Sequence, residues 1–332
     1  MILYPRISII TPSFNQGHFI EETILSVLNQ NYPNLEYIII DGGSTDNTID
    51  IIKKYERQLT YWVSEKDNGQ SHAINKGMLM VTGDIVNWLN SDDYYSPDIF
   101  KHIVNKFEDK TVTAYCGKSV IFSTDSKVYS QGTDIYADNL AKTIGLARID
   151  QPETFFRKSV WDKIGFLNEQ CHYVMDRDFW IRYLNSYQLS GIVTDDKILA
   201  NFRLHKDSKT VSVQKEFQTE GRDLYFTYAK NMGLNQYSDL MSDILTVKEV
   251  SLDYKFEHTE IDLWHKVFNY YLYQEGISAY AQNDYKLAKA ILKNISKDFL
   301  SGADIRILNS VITRMKFLPV RIKKVLNKIK SP

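Results

Sequence analysis

Apolar and polar residues alternate along the first half of the chain in a strand-and-helix pattern. The runs RISIITPSF and LEYIIID are short and continuously apolar, as in strands that are buried on both faces. After the first run, HFIEETILSVLNQ has helical periodicity, with one apolar face formed by Phe19, Ile20, Ile24, Val27 and Leu28. After the second, STDNTIDIIKKYE predicts another helix. This order predicts parallel strands joined by helical crossovers.

Each predicted strand ends in polar, turn-forming residues. Residues 11–15 and 41–46 follow the first two strands, and GDIVNWLN leads into Ser91, Asp92 and Asp93. Because ligands bind at the carboxyl ends of parallel strands, these three strand ends predict one cleft. The adjacent carboxylates of Asp92 and Asp93 repel unless a cation, hydrogen bonds or water takes up their charge. An ordinary Asx-type turn before a helix is the structural alternative for this pair.

The second half of the chain has a helical pattern. Beyond about Val211, EFQTEGRDLYFTYAKNMG and WHKVFNYYLYQEGISAYAQNDYKLAKAILKNISKDF are amphipathic, and the latter predicts a helical hairpin that turns near Asn283 and Asp284. We therefore predict an α/β fold with a Rossmann-like, mostly parallel sheet flanked by helices over residues 1–210. A helical C-terminal region is predicted over residues 211–332.

Composition excludes several classes of protein. Of the 332 residues, 43% are hydrophobic and 24% charged, which is typical of globular proteins. The two cysteines, Cys116 and Cys171, have no metal-binding spacing and are too few for a disulfide framework, so we expect a reducing cytoplasm. No secretory leader and no run of eighteen apolar residues is evident. The net charge is −1, and we predict no nucleic-acid partner.

Positive charge is concentrated at the C-terminus. The stretch RMKFLPVRIKKVLNKIKSP contains seven basic residues without an acid, and its apolar residues recur at helical spacing. This pattern predicts a basic amphipathic helix, which would suit peripheral contact with the inner face of the plasma membrane. Packing of the helix on its own domain is the structural alternative.

The chemistry of the predicted cleft is suggested by what the motifs lack and contain. Neither GxxxxGK[ST] nor GxGxxG occurs, which disfavours nucleotide hydrolysis by a P-loop and the usual mode of dinucleotide binding. The strand ends are instead rich in carboxylates. Oxygen ligands suit Mg²⁺ or Mn²⁺, ions that bridge protein carboxylates to the phosphates of a nucleotide.

The ordered segments ISIITPSFNQGHFIEETILSVLNQNYPNLEYIIIDGGSTDNT and SEKDNGQSHAINKGMLMVTGDIVNWLNSDD resemble the start of family 2 glycosyltransferases. The resemblance extends over roughly the first 210 residues and involves several motifs in order. It implies the GT-A fold, a nucleotide-sugar donor and a divalent metal, Mn²⁺ or Mg²⁺, at these strand ends.

The resemblance also implies roles for particular residues. The positions that it assigns to the nucleotide-sugar are Thr11, Pro12, Ser13, Asn15, Asp41, Asp67, Asn75, Lys76, Asn90 and Ser91. Those that it assigns to the metal are Asp92, Asp93 and His205. Two positions depart from the family pattern, since Asn90 replaces the usual first aspartate of the metal-binding triplet and Gly42 stands where many relatives have an acid. Asp92 is therefore expected to be the main anionic ligand.

A second motif, CHYVMDRDFWIRYL, bears on proton transfer. Its helical spacing puts Asp176 in or just before the first turn of a helix, where backbone N–H groups lower the pKa of a carboxyl. The resemblance implies that Asp176 is the catalytic base, although Met175 replaces an acid that often precedes it. Asp178 is the second candidate for the base, and a plain N-cap is the structural alternative for Asp176.

Together these features predict an inverting, metal-dependent glycosyltransferase. The donor would be a nucleotide-sugar, with UDP preferred, and the acceptor a hydroxyl of a glycan or lipid-linked saccharide in surface polysaccharide biosynthesis. One alternative is a non-catalytic, sugar-nucleotide-binding scaffold. The other is a sugar nucleotidyltransferase, which is disfavoured because TPSFNQG lacks a glycine-rich basic loop.

Overall fold

The apolar runs of the N-terminal half form neighbouring parallel strands. A computed structural model describes residues 4–206, 208–209, 213–252, 254, 256 and 260–317 of the protein. Its first strands are β1 (Ile7–Ser13), β2 (Leu35–Asp41), β3 (Tyr61–Ser64) and β4 (Ile85–Trp88), which lie in the order β3-β2-β1-β4. All three pairings among them are parallel.

The rest of the sheet is mixed. It contains β5 (Tyr94–Tyr95), β6 (Ala114–Phe122), β7 (Lys127–Tyr129), β8 (Thr154–Arg157) and β9 (Ile192–Arg203), and continues from β4 in the order β8-β6-β9-β5, with β7 beside β6. Only β6 and β9 pair in parallel here. The predicted Rossmann-like α/β fold is confirmed. The added antiparallel strands are not evident as apolar runs, because β7 is exposed and β9 is largely half-buried.

Helices cover both faces of the parallel strands, which explains their continuous apolar sequences. On one face, residues of β1 and β2 pack against α1 (Ile20–Leu28) and α2 (Thr48–Tyr55) in a single buried cluster. On the other face lies α3 (Gln70–Met78). Gly77 allows this close approach, since a Cβ atom there would lie 2.6 Å from Ile10 Cγ2.

The remaining helices of the described residues are α4 (Ile99–Lys106), α5 (Leu140–Leu146), α6 (Lys158–Ile164), α7 (Met175–Tyr187), α8 (Gln214–Asn231), α9 (Asn235–Ile244), α10 (Ile261–Ala281), α11 (Tyr285–Leu292) and α12 (Gly302–Phe317). The predicted hairpin corresponds to α10 and α11. Asn283 has a positive φ of 65° in its turn, and Asp284 caps α11 by accepting a hydrogen bond from the Leu287 amide at 2.9 Å.

The chain divides into two compact units. The first comprises Met1–Ile135, Arg148–Glu220 and Ser251–Phe256, and the second Tyr136–Ala147, Gly221–Val250 and Glu257–Pro332. The domain boundary predicted at residue 210 thus falls within the first unit, which also takes a later segment of the chain. Sequence periodicity does not show which unit a segment belongs to, because a helix such as α5 has the same pattern whichever unit it packs in.

Two expectations concern membranes. Among the helices in the described ranges, none is long and apolar enough to cross a bilayer. Most of the basic amphipathic helix predicted at the C-terminus lies outside the described residues, which end at Phe317 in α12.

Three strand ends meet at one edge of the sheet, as expected from the sequence. Ser13 is in register with Asp41, and the Leu89 amide continues the β1–β4 pairing by donating to the Ile10 carbonyl at 2.9 Å. The chain passes from β1 to β2 on one side, and β4 returns to the other side of β1. Such a switch of direction opens a crevice at the carboxyl ends of the strands.

Candidate active site

The paired aspartates lie in a tight turn directly after β4. The Asp93 amide donates to the Asn90 carbonyl at 3.1 Å. The Thr23 hydroxyl of α1 lies 3.0 and 2.7 Å from the carbonyl oxygens of Ser91 and Asp93. From the other side, Arg203 Nε donates to the Asp92 carbonyl at 3.0 Å. The backbone of the turn is therefore held at several points, while its side chains have different surroundings.

Asp92 and His205 lie side by side although they are 113 positions apart in the sequence. Asp92 Oδ2 and His205 Nε2 are 3.0 Å apart, and both side chains are partly exposed. Ser208 Oγ accepts a hydrogen bond from the His205 amide at 3.0 Å, and the Phe19 ring packs 4.7 Å from the imidazole. The structure thus brings together two of the three residues predicted as metal ligands.

Asp93, the third predicted ligand, is buried. Its side chain accepts a hydrogen bond from the Arg203 amide at 2.8 Å, and its second oxygen has no hydrogen bond among the described residues. Burial, and then the charge of Asp92, raise the pKa of Asp93 well above its usual range. Its side chain therefore lacks the solvent access of Asp92, and its role in metal binding stays a prediction.

The side chains around Asp92 include few ligands for a divalent metal. No group of three or more His, Cys, Asp or Glu side chains within the described ranges is arranged to hold a metal ion. Mg²⁺, however, is usually bound by only one or two protein carboxylates, with phosphate oxygens and water completing its shell. Carboxylate and imidazole ligands are also both acceptable to Mn²⁺. Asp92 and His205 therefore fit a metal that is shared with a diphosphate.

The side chain of Asn90 is hydrogen-bonded within a chain of polar contacts. Its Oδ1 accepts a hydrogen bond from Gln70 Nε2 at 2.7 Å, and Gln70 Oε1 accepts one from Lys209 Nζ at 2.9 Å. Lys209 also donates to the His172 carbonyl at 2.9 Å. Desolvation lowers the pKa of Lys209, while the negative charges of Glu220, Asp176 and Asp92 act to raise it. This lysine is thus within electrostatic reach of both the predicted base and the predicted metal ligand.

The end of β1 and the residues after it include four positions predicted to bind the nucleotide-sugar. Thr11 is buried and its hydroxyl lies 3.1 Å from the Tyr37 hydroxyl, while Pro12 is also buried. Ser13 Oγ is buried without a hydrogen bond among the described residues. Asn15, at a φ of 52°, accepts a hydrogen bond from the Thr45 amide at 2.8 Å. Ser13 therefore retains hydrogen-bonding capacity that no described residue uses.

Asp41, predicted to bind the base, organises its own loop. It is fully buried and accepts four hydrogen bonds: from the amides of Gly43 and Ser44 at 3.1 and 2.9 Å, and from the hydroxyls of Ser44 and Ser64 at 2.5 and 2.6 Å. These bonds fix the turn between β2 and α2. Contact between Asp41 and a base stays a prediction.

Asp67 occupies the space beside Gly42. A Cβ atom at position 42 would lie 2.7 Å from Asp67 Oδ2, and Asp67 Oδ1 accepts a hydrogen bond from the Gly69 amide at 2.8 Å. The carboxylate of Asp67 thus occupies the space that a side chain at position 42 would need.

Phe14 is a candidate that the sequence reasoning did not single out. It follows β1 directly, and its side chain is 58% exposed although it is a large apolar group. Its place in TPSFN was the available signal, but a phenylalanine after an apolar strand is usually part of a core. Here it offers a flat apolar surface at the edge where the strand ends meet.

Asn75 and Lys76 have partners within the protein. Asn75 Nδ2 donates to the Leu167 carbonyl at 2.9 Å and to Glu169 Oε1 at 3.0 Å, and Asn75 Oδ1 accepts from the Leu167 amide at 2.9 Å. Lys76 forms a salt bridge with Glu65. Asn75 thus connects α3 to the segment before α7, and a nucleotide role for either residue stays a prediction.

The two candidate bases lie in different environments on α7. Asp178 is completely buried, pairs with Arg182 at 2.9 Å, and accepts a hydrogen bond from the Tyr254 hydroxyl. Asp176 is partly exposed, and Oδ1 accepts a hydrogen bond from the Arg177 amide at 2.7 Å. Burial raises the pKa of Asp176 against the opposing effect of this bond. Val174 is at the N-cap position, so the plain N-cap alternative for Asp176 does not apply.

Removing the Asp178 carboxylate is expected to destabilise the first unit. In Asp178→Ala the guanidinium of Arg182 stays buried without its partner, which typically costs about 3–5 kcal/mol of unfolding free energy. Chemical denaturation followed by tryptophan fluorescence would measure the loss. The control is Asp162→Ala, which removes an exposed i,i+4 pair with Lys158 that is worth under about 1 kcal/mol. Equal losses in the two variants would contradict this structural role.

The loop before β8 lies against the end of β4. Gln151 Nε2 donates to Asn87 Oδ1 at 2.9 Å and to the Trp88 carbonyl at 2.7 Å. Glu153 is fully buried, and burial followed by the charge of Asp150 raises its pKa to about 8. A raised carboxyl pKa near a cleft is common at functional sites.

The chain is similar to glycosyltransferases in sequence. It is 29% identical over 239 residues to an uncharacterized glycosyltransferase of Rickettsia prowazekii, covering 70% of this chain and 74% of that protein. It is 33% identical over 148 residues to the putative teichuronic acid biosynthesis glycosyltransferase TuaG of Bacillus subtilis, covering 42% of this chain and 59% of that protein.

The fold is similar to that of a solved structure. The crystal structure of Staphylococcus aureus TarS 1–349 in complex with UDP-GlcNAc superposes with a TM-score of 0.59 at 15% identity, covering 97% of this chain and 89% of that chain. This chain spans 54% of the longer TarS chain. At this identity the likeness establishes the fold.

A family model supports the same assignment. The model described as glycosyl transferase family 2 matches residues 8–179, just over half of the chain. The matched stretch contains the strand ends, the turn at residues 90–93 and the first turn of α7. The protein is therefore a member of glycosyl transferase family 2 with the GT-A fold.

Proposed function

We propose that this cleft transfers a sugar from a UDP-sugar to a hydroxyl of a glycan or lipid-linked saccharide, with inversion at the anomeric carbon. The observation that carries the proposal is the position of Lys209. Its ammonium group is within electrostatic reach of Asp176 and Asp92, and it is linked through Gln70 to Asn90. A proton acceptor and a diphosphate-binding end therefore belong to one site.

The donor end of the site suits a nucleoside diphosphate. Phe14 supplies an exposed ring on which a base can stack, and Asp67 supplies a carboxylate that can accept a hydrogen bond from the base. The similarity in fold to a protein solved with UDP-GlcNAc supports a uridine nucleotide. Asn90 and Ser91 in the turn would lie towards the donor sugar.

Asp92 and His205 would hold a divalent metal, Mn²⁺ or Mg²⁺. Such an ion, when bound, neutralises negative charge on the diphosphate leaving group. Lys209 adds a positive charge on the same side, where its hydrogen bonds to Gln70 Oε1 and to the His172 carbonyl hold the ammonium group.

Asp176 would accept the proton of the acceptor hydroxyl. A base is most effective when its pKa is not far below the working pH, and burial moves the pKa of Asp176 in that direction. Its first-turn position fixes the carboxylate relative to the α7 backbone. The hydroxyl oxygen then forms the new bond to the anomeric carbon as the bond to the diphosphate breaks.

The similarity to TuaG supports a role in the assembly of surface polysaccharides. A lipid-linked acceptor would bring the protein to the membrane surface. The predicted basic C-terminal helix would favour that location, and a truncation after Met315 with reduced binding to anionic liposomes would support it.

A panel of nucleotide-sugars tests the proposed function. With Mn²⁺ present, we expect at least one UDP-sugar to raise the melting temperature and to release UDP slowly by hydrolysis. Chelation of the metal should reduce both effects. Binding without any turnover, with or without added acceptors, would instead indicate a scaffold, and release of pyrophosphate from UTP and a sugar phosphate would indicate a nucleotidyltransferase.

Truncating Phe14 should weaken donor binding with little change in turnover. We expect Phe14→Ala to raise the Kd for UDP about tenfold, because stacking on a base contributes about 1–3 kcal/mol. Isothermal titration with UDP gives the Kd, and hydrolysis at saturating donor gives kcat. Tyr129→Ala, which truncates an exposed aromatic on β7, is the matched control. An unchanged Kd in Phe14→Ala would exclude the stacking role.

A further inference from the structure

A pocket of about 580 Å³ lies along one side of α3 in the first unit. The helix lines it with His72, Asn75, Lys76 and Leu79, whose spacing of i, i+3, i+4 and i+7 places them on one face. The opposite wall is the segment 164–170, which leads into α7. Asn75 and Lys76 are also positions that the family resemblance assigns to the nucleotide, but their side chains bind neighbouring protein.

The walls of the pocket are held together by internal hydrogen bonds. The Asn75 amide connects α3 to Leu167 and Glu169, as described above. Arg182 Nη1 donates to the Ile164 carbonyl at 2.6 Å and Nη2 to the Phe166 carbonyl at 2.8 Å. A pocket with fixed walls loses little entropy when a ligand binds.

The groups presented to the pocket suit a neutral ligand. Its cations already have anionic partners, because Lys76 pairs with Glu65 and Arg182 pairs with Asp178. The carboxylate of Glu169 accepts a hydrogen bond from Asn75 Nδ2 at 3.0 Å. Two large apolar side chains are instead exposed at the pocket, Leu79 at 71% and Phe166 at 47%.

Beside these apolar groups, the exposed side chain of Gln170 makes no hydrogen bond among the described residues. Apolar surface next to unused amide groups matches the mixed faces and hydroxyls of a saccharide.

The helix that lines the pocket, α3, also contacts the proposed site of transfer. Gln70, the first residue of α3, contacts Asn90, and Ser71 Oγ donates to the Cys171 carbonyl at 3.1 Å, five residues before Asp176. From His72 to Leu79 the helix rises about 10 Å, which is long enough for a disaccharide.

From this continuity we propose that the pocket binds the sugar residues of the acceptor glycan that adjoin the residue receiving the new sugar. This inference rests on the proposed function. It predicts that the enzyme recognises an acceptor of at least two or three sugars, and that Phe166 and Gln170 contribute to its selection.

The test adds cellobiose, maltose, lactose or N,N′-diacetylchitobiose to the full chain. Saturation-transfer NMR measures the binding of each disaccharide. At least one disaccharide should bind, and saturating UDP should not displace it. Phe166→Ala and Gln170→Ala should each weaken this binding about tenfold or more, since each removes a direct contact. Tyr129→Ala, at an exposed aromatic outside the pocket, should leave it unchanged.

Several outcomes would overturn the inference. These are the absence of binding by every disaccharide, displacement by UDP, and equal affinity in the two pocket variants and wild type. Self-association that Phe166→Ala abolishes would identify the pocket as a contact between copies instead. UDP-sugar hydrolysis by the same samples distinguishes failure of this inference from failure of the proposed function. Hydrolysis without disaccharide binding refutes only the acceptor pocket. If no UDP-sugar in the panel is hydrolysed, the proposed function is refuted.

Discussion

Asp176→Asn is expected to lower the rate of sugar transfer by about 10³-fold while leaving the Kd for UDP within about twofold, because general base catalysis typically contributes 10²–10⁴. An asparagine keeps the size of the side chain and its contact with the Arg177 amide. It cannot accept the proton of the acceptor hydroxyl. Single-turnover assays with a UDP-sugar and acceptor would give the rate, and titration with UDP would give the Kd.

The pH dependence of the wild type provides an independent readout. A base works when deprotonated, so kcat/KM should fall as the pH is lowered through the pKa of Asp176. Since burial raises that pKa, the fall should begin at a higher pH than for an ordinary aspartate. Asp176→Asn should lose this limb of the profile. Transfer at the wild-type rate in the variant would exclude Asp176 as the base.

The second large effect is expected at the metal-binding end of the cleft. Asp92→Ala should lower transfer by about 10²–10³-fold, as expected when several kcal/mol of charge stabilisation on the leaving group are lost. His205→Ala should have a smaller effect of the same kind, because imidazole is a neutral ligand. The concentration of Mn²⁺ that gives half-maximal activity should rise in both variants. Calorimetric titration with Mn²⁺ and UDP would measure the metal affinity directly.

Asp93→Asn is the matched control for Asp92. Asp93 is buried, and its raised pKa means that an uncharged amide mimics the state favoured by its surroundings. We therefore expect the Mn²⁺ requirement of Asp93→Asn to stay close to that of the wild type. If Asp93→Asn raised this requirement as much as Asp92→Ala, Asp93 would be a metal ligand after all. If neither variant altered it, the metal site would lie elsewhere.

The choice between Asp176 and Asp178 illustrates what sequence could and could not resolve. Both acids lie in the first turn of α7, and helical spacing allowed either one to face the cleft. Arg182 is at i+4 from Asp178 on the same helix, but local pattern does not show that Tyr254 also binds Asp178, since Tyr254 is 76 positions away. The family resemblance favoured Asp176; the structure shows that Asp178 is buried and paired, and the role of Asp176 as base stays a prediction.

Polar residues at the strand ends also show what the sequence could predict and what it could not. The sequence identified the edge at which Asp41 and Asp92 lie, because each belongs to a turn that follows a predicted strand. It did not distinguish side chains whose polar atoms bind neighbouring protein, such as Asn75, from those that remain open, such as Asp92. For a related reason the sequence did not single out Phe14 or Lys209. Phe14 is a candidate because its ring is exposed, and Lys209 because it interacts with charged residues far away in the chain.

The sequence by itself determined the parallel strands, their crossover helices, the turn at residues 90–93 and the C-terminal hairpin, because apolar periodicity and turn-forming residues act over a few neighbouring positions. Tertiary structure alone decided that Asp93 is buried, that His205 reaches Asp92, that the domain boundary is not a single position and that a pocket lies along α3. Each of these depends on contacts between residues far apart in the chain. Hydrogen bonding and desolvation, which control whether a polar side chain is available to a ligand, are properties of that packed environment.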